Sequence, residues 1–134
     1  MKHANIVLLS LCLASATGTA LAHHAAAMYD STKIVTVKGK VKEFAWRNPH
    51  VMILITAEPR DSEPAADWRF ESSSPGNLAR SGWTKRSLAS GDTVTVECNP
   101  MRNGSHSGWL KKVALADGTV LTFSFGDLEK PNLP

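Results

Sequence analysis

Histidine, methionine, tryptophan and serine are the side chains here whose spacing bears on chemistry. His23 and His24 stand side by side, His50 closes Arg47-Asn48-Pro49-His50 two residues before Met52, and His106 closes Asn103-Gly104-Ser105-His106. Imidazole suits oxidised copper, and the thioethers of Met28, Met52 and Met101 suit its reduced form, so copper is the metal this set invites. The serine run Ser72-Ser73-Ser74 directly precedes Pro75 and lacks a Gly-x-Ser-x-Gly elbow, which marks it as a helix cap rather than a nucleophile. Nothing reads as paired catalytic carboxylates, a nucleotide loop, a haem-attachment motif or a paired-cysteine zinc site. An enzyme of unknown class therefore ranks third among the readings, behind a binding domain and a copper protein.

What His23 and His24 can do depends on where the finished chain begins. Lys2 precedes an apolar run from Ile6 to Ala14, followed by small and hydroxyl residues and then Ala20-Leu21-Ala22. That order is a secretory signal peptide, too short in its apolar part to span a bilayer, so residues 1–22 are set aside from the fold and the location is periplasmic. A lipoprotein signal does not fit, because Leu11 precedes Cys12 where a small residue is needed. Cleavage after Ala22 leaves His23 first, with its amine and imidazole able to chelate Cu(II) together. Cleavage after Ala20 leaves Leu-Ala-His, in which the third-position histidine, the amine and two backbone nitrogens form a square-planar site. The bland alternative is that both histidines are polar spacers on an arm.

Export also fixes the charge and thiol inventory. Of 15 Lys and Arg only Lys2 is lost, and none of the 12 Asp and Glu, so the processed chain carries about two net positive charges. That is too weak for a nucleic-acid footprint, and Lys38, Lys40 and Lys42 on one side of a strand read as a solvated face or edge protection. Cys98 alone survives processing, which forbids an intramolecular disulfide and leaves packing to hold the core.

The elements that must position these residues are strands. The runs "KIVTVKGKVKEFAW", "HVMILIT", "DWRFES", "DTVTVEC", "GWLKKVAL" and "TVLTFSF" are rich in Val, Ile, Thr and aromatics. In the first, the apolar phase Val35, Val37, Gly39, Val41 jumps by one residue to Phe44 and Trp46, as at a bulge where one strand serves two sides of a barrel. The second is continuously apolar and reads as covered on both faces. In the fourth, Val94, Val96 and Cys98 share one face, which makes Cys98 an inward, inert thiol. The one helix is short, with Ser74 as N-cap, Pro75 first, Leu78 as packing residue and Gly82 as stop. Asp117-Gly118 joins the last two strands as a tight hairpin.

Three strands, a short helix and two or three more strands, with a long bent first strand, give an all-β domain with one short helix: an OB-fold-like small β-barrel. A β-sandwich of the immunoglobulin type is the alternative, but it calls for more strands and paired cysteines. The organisation is a signal peptide (1–22), an N-terminal arm (23–32), the barrel domain (33–126) and a tail (127–134). Val35, Val37, Val41, Ile53, Ile55, Phe70, Val94, Val96, Val113, Leu121 and Phe123 are the expected core.

The stretches "HHAAAMYD", "VKGKVKEFAWRNPHVMI", "DWRFESSSPGNLARSGW" and "LASGDTVTV" together resemble a family of small exported bacterial proteins known as domain of unknown function 6152. The resemblance covers nearly all of the processed chain and implies a periplasmic, β-rich barrel with no assigned activity and no catalytic residues to carry over.

The leading expectation is a non-enzymatic periplasmic binding or accessory domain for an unknown small molecule or periplasmic protein, with no nucleic acid and no transmembrane segment after cleavage. Its candidate ligand residues are Trp46, Arg47, Asn48, His50, Asn103 and His106, on two loops expected at the same end of the barrel. His50 is expected to hydrogen-bond a loop carbonyl when it serves only the turn. Four tryptophans (46, 68, 83 and 109) are a possible stacking platform. The copper alternative rests on His23 and His24.

Overall fold

A computed structural model describes residues 27–123. His23, His24, the expected signal peptide and the tail at 127–134 lie outside the described residues. The strands are β1 (Val35–Ala45), β2 (Met52–Ala57), β3 (Ala66–Glu71), β4 (Thr93–Pro100), β5 (Ser107–Leu115) and β6 (Val120–Thr122), with helix α1 (Pro75–Arg80) between β3 and β4. Their order is β3-β2-β1-β4-β5-β6, and a parallel pairing of β3 with β5 closes the first five strands into a barrel. The architecture is the OB-like barrel with one short helix that the strand order implies.

Strand β1 makes closure possible because it pairs with β4 over residues 35–40 and with β2 over residues 39–45. Gly39 is the handover, opposite Ala57 on one side and Val94 on the other. A Cβ there would run into the Thr56 carbonyl and would sit 2.8 Å from the Ala57 Cα, so only glycine lets the two backbones come together. The ladder then slips between Val41 and Glu43, which is the bulge that the phase jump implies. The extra residue turns the rest of β1 around the barrel and brings Phe44 against the core.

Helix α1 forms on local signals. The Ser74 hydroxyl accepts from the Asn77 N–H, Pro75 opens the helix, and Gly82 at φ +87° ends it while the Trp83 N–H returns to the Leu78 carbonyl. The segment seats Leu78, Trp83 and Leu88 in the core cluster. The Trp83 indole donates to the Thr122 carbonyl at 2.8 Å, tying this segment to β6. That last strand follows a turn with Gly118 at φ +90° and lies along the part of β5 that β3 leaves unpaired.

The interior holds Val37, Val41, Ile53, Ile55, Phe70, Val94, Val96, Val113 and Phe123 as expected, whereas Val35 and Leu121 are only partly buried at its margin. Strand β2 corrects the sequence reading. Val51, Ile53, Ile55 and Ala57 are buried in alternation, while Met52 and Leu54 are half-exposed and Thr56 is exposed. It is thus covered on one face only, and its apolar outer residues are left on the barrel wall.

Cys98 points inward and is fully buried, and burial pushes its thiol from an ordinary 9.0 up to about 11. Between those values the unfolded chain has released the proton and the folded chain still holds it. The Cys98 contribution is therefore intact below pH 9.0 and is lost as pH rises toward 11. Denaturant melts across that window should show a steeper loss of stability for the parent than for Cys98→Ala. Equal slopes would assign the alkaline loss to other groups.

Candidate functional site

Outward-facing residues of β2, β3 and β5 lie in rows set by the ladder, with Met52 opposite Glu71 and Glu71 opposite Trp109. His50 precedes β2 beside a cis Asn48–Pro49 bond and reaches the same row. Its Nδ1 makes a short contact with Glu71 Oε1, and its ring meets Trp109 edge-on at 6.0 Å between centroids. From the arm, Tyr29 donates its hydroxyl to Glu71 Oε2 at 2.6 Å and packs on Trp109 at 5.9 Å. One carboxylate thus holds a phenol and an imidazole, and one indole supports both rings. Burial, and after it the Glu71 carboxylate, raises the Tyr29 phenol well above the usual tyrosine range, so it stays a donor at all ordinary pH.

Tyr29 sits here because the described end of the arm is stitched to the chain between β4 and β5. Tyr29 bridges to Met101, the Asp30 N–H donates to the Pro100 carbonyl and the Arg102 N–H donates to the Met28 carbonyl. Removing the hydroxyl alone by Tyr29→Phe should cost about 1.5–3 kcal/mol, the worth of a hydrogen bond to a charged acceptor. It should also alter the near-ultraviolet dichroism of Trp109. A variant that matches the parent in both would remove the phenol from the network.

With Nδ1 donating to Glu71, the neutral ring of His50 offers the Nε2 lone pair to whatever approaches, the arrangement in which a carboxylate orients a base or ligand. The imidazole can then accept a proton or a hydrogen bond. Among the described residues Glu71 is its only hydrogen-bond partner, so no hydroxyl or thiol is lined up with it as a nucleophile. No group of three or more His, Cys, Asp and Glu gathers for a metal among the described residues either.

Beside this network the outer wall holds a cavity of about 150 Å³ lined by Glu43, Ala45, Arg47, Met52, Ile53, Leu54 and Arg69. Arg69 is opposite Leu54, and Leu54 is opposite Glu43. Arg47 and Arg69 are exposed, and among the described residues neither has a carboxylate within ion-pair distance.

The two loops do not share an end. Strand β4 runs antiparallel to β1, so the turn after β4 emerges where β1 begins, whereas the loop holding Arg47, Asn48 and His50 follows the end of β1. His106 instead stacks on Trp68 at 5.0 Å and lines a second cavity of about 220 Å³ with Lys38, Arg60 and residues of the β2–β3 connection. The Asn103 side chain accepts from the Ser105 N–H, a local turn contact. The tryptophans divide likewise: Trp83 is core at 1% exposure, Trp46 packs on Phe44, Trp68 lies under His106 and Trp109 under His50. A common platform of four is ruled out by that division. The His50 ring bonds the Glu71 carboxylate instead of a loop carbonyl, a partner 21 residues away that no local signal reveals.

A family model described as Family of unknown function (DUF6152) matches residues 10–111. No curated protein matches the sequence. Among solved structures, two crystal forms of Rim1, the mitochondrial single-stranded DNA binding protein of S. cerevisiae, are similar at a TM-score of 0.47. Their identities are 15% and 16%, and the match covers 63% of this chain and 93% and 92% of theirs. Among the described residues no helix is long and apolar enough to cross a membrane.

Proposed function

Because the chain belongs to the Family of unknown function (DUF6152), we propose a function from its geometry: an exported, periplasmic, non-enzymatic binding domain whose ligand lies on the outer wall of β1, β2, β3 and the start of β5. The observation that carries this reading is the juxtaposition on one wall of a carboxylate-oriented imidazole, a half-exposed indole and two guanidinium groups without an ion-pair partner among the described residues, around apolar side chains. A few placed polar groups around an apolar floor are the ordinary make-up of a ligand site. The reading narrows the candidate residues to Arg47 and His50 with Glu71, Arg69 and Trp109, and leaves Asn103 and His106 outside the site.

Native mass spectrometry of the protein equilibrated with a periplasmic extract tests this. A retained small molecule that is lost in both His50→Ala and Trp109→Ala supports it. Retention unaffected by either substitution, or no retained species at all, overturns it.

Copper held by a processed His23 is the second reading, carried by an amine and an imidazole on one residue. Because the amine must lose a proton to bind, Cu(II) affinity should rise with pH and collapse when residues precede His23. Equal affinity in native and extended chains would discard it.

A further inference from the structure

The cavity beside Met52 has a composition that selects a ligand class, and the geometry points to a small organic acid: one carboxylate on a compact apolar body. This rests on the outer wall being the binding face and goes on to name what it takes. The apolar side chains at its floor are Ala45, Met52 and Leu54. Met52 and Leu54 are left half-exposed by a strand whose alternate residues fill the core. A volume of about 150 Å³ equals roughly five waters of liquid, which suits one ring or a short branched chain and not a long acyl tail.

Charge completes the selection. Lys42 is neutralised by Asp67, Lys38 by Glu58 and Lys112 by Glu97, whereas Arg47 and Arg69 face the cavity without an ion-pair partner among the described residues. Guanidinium presents a planar fork that matches a carboxylate. Glu43 also lines the cavity and offsets one of the two positive charges, which leaves a net charge of one, the complement of a monoanion. A phosphate dianion is matched less well, and a polyanion would meet Glu43, Asp67 and Glu71 along the same wall. A neutral ligand would leave both guanidinium groups unused.

The test is a titration of the purified protein with benzoate, benzyl alcohol and inorganic phosphate, followed by amide and arginine side-chain NMR shifts. Benzoate should give saturable shifts at Ala45, Arg47, Met52, Leu54 and Arg69. Arg69→Gln and Arg47→Gln should each weaken it at least tenfold, and Glu43→Gln should tighten it severalfold. Because these substitutions are on exposed side chains, unchanged amide spectra elsewhere will confirm folding. Phosphate binding as well as benzoate, benzyl alcohol binding as well as benzoate, or indifference of benzoate to Arg69→Gln would each overturn the inference. A non-acid retained through His50 and Trp109 would overturn the ligand class and leave the binding face standing. An outer wall that retains nothing from the extract and ignores benzoate would remove both.

Discussion

Trp83→Ala is expected to cost about 4 kcal/mol, in the range for deleting a buried aromatic side chain, and to lower the melting temperature by roughly 15–30 °C for a domain of this size. Two losses combine. The indole is 1% exposed and its ring contacts Phe44, so alanine leaves a void between the helical segment and the late part of β1. Its N–H is also the donor to Thr122, so β6 loses its tie to the chain that follows α1. Trp83→Phe separates the two, since it keeps much of the packing and removes only the donor, at a cost of about 1–2 kcal/mol. Urea denaturation of the three proteins measures the series. An alanine variant within 1 kcal/mol of the parent, on the order of a single hydrogen bond, would mean that Trp83 is not part of the core.

Gly39→Val should be far more damaging than Gly76→Ala, at about 3 kcal/mol or above, with much of the protein recovered in the insoluble fraction. The obstacle is backbone: a Cβ at residue 39 meets the Thr56 carbonyl and the Ala57 Cα, and neither can turn away as a side chain would. Relief requires β1 and β2 to separate at the residue where β1 passes from one neighbour to the other. Gly76→Ala is the contrast, because a Cβ there meets nothing within 4 Å and alanine favours the helix. If Gly39→Val were as stable as Gly76→Ala in the same denaturant series, β1 could not be coiled at Gly39 as described.

Local signals in the sequence led to correct local structure. The one-residue phase slip between Val41 and Phe44 marks the bulge, Ser74-Pro75 marks the helix start and Asp117-Gly118 marks the last hairpin, because each is written within a few neighbouring residues. The apolar run of β2 was misleading for a physical reason: Met52 and Leu54 satisfy the pattern of a doubly buried strand while lining a surface cavity. The site was legible only in part. Arg47 and His50 stand out as a loop motif, but Tyr29 and Glu71 are 42 residues apart, and nothing in the spacing of a lone tyrosine and a lone glutamate says that they meet. Trp83 looked like the other tryptophans because burial of one indole among four is decided by tertiary packing alone.

The parallel seam between β3 and β5 carries a consequence for the order of assembly. It joins Arg69, Phe70 and Glu71 to Ser107, Gly108 and Trp109, residues 38 apart in the chain, and it spans only those three pairs. Loop entropy disfavours such a contact until the intervening helix and β4 are in place, so the seam zips late. Before it zips, Glu71 and Trp109 are not neighbours, and the row that holds His50 does not exist. Occupancy of the row formed by His50, Glu71 and Trp109 is therefore a report on complete closure. A ligand gripping both sides of this seam should slow unfolding while leaving the folding rate nearly unchanged, which makes the binding face a late-formed clasp on the barrel's lifetime.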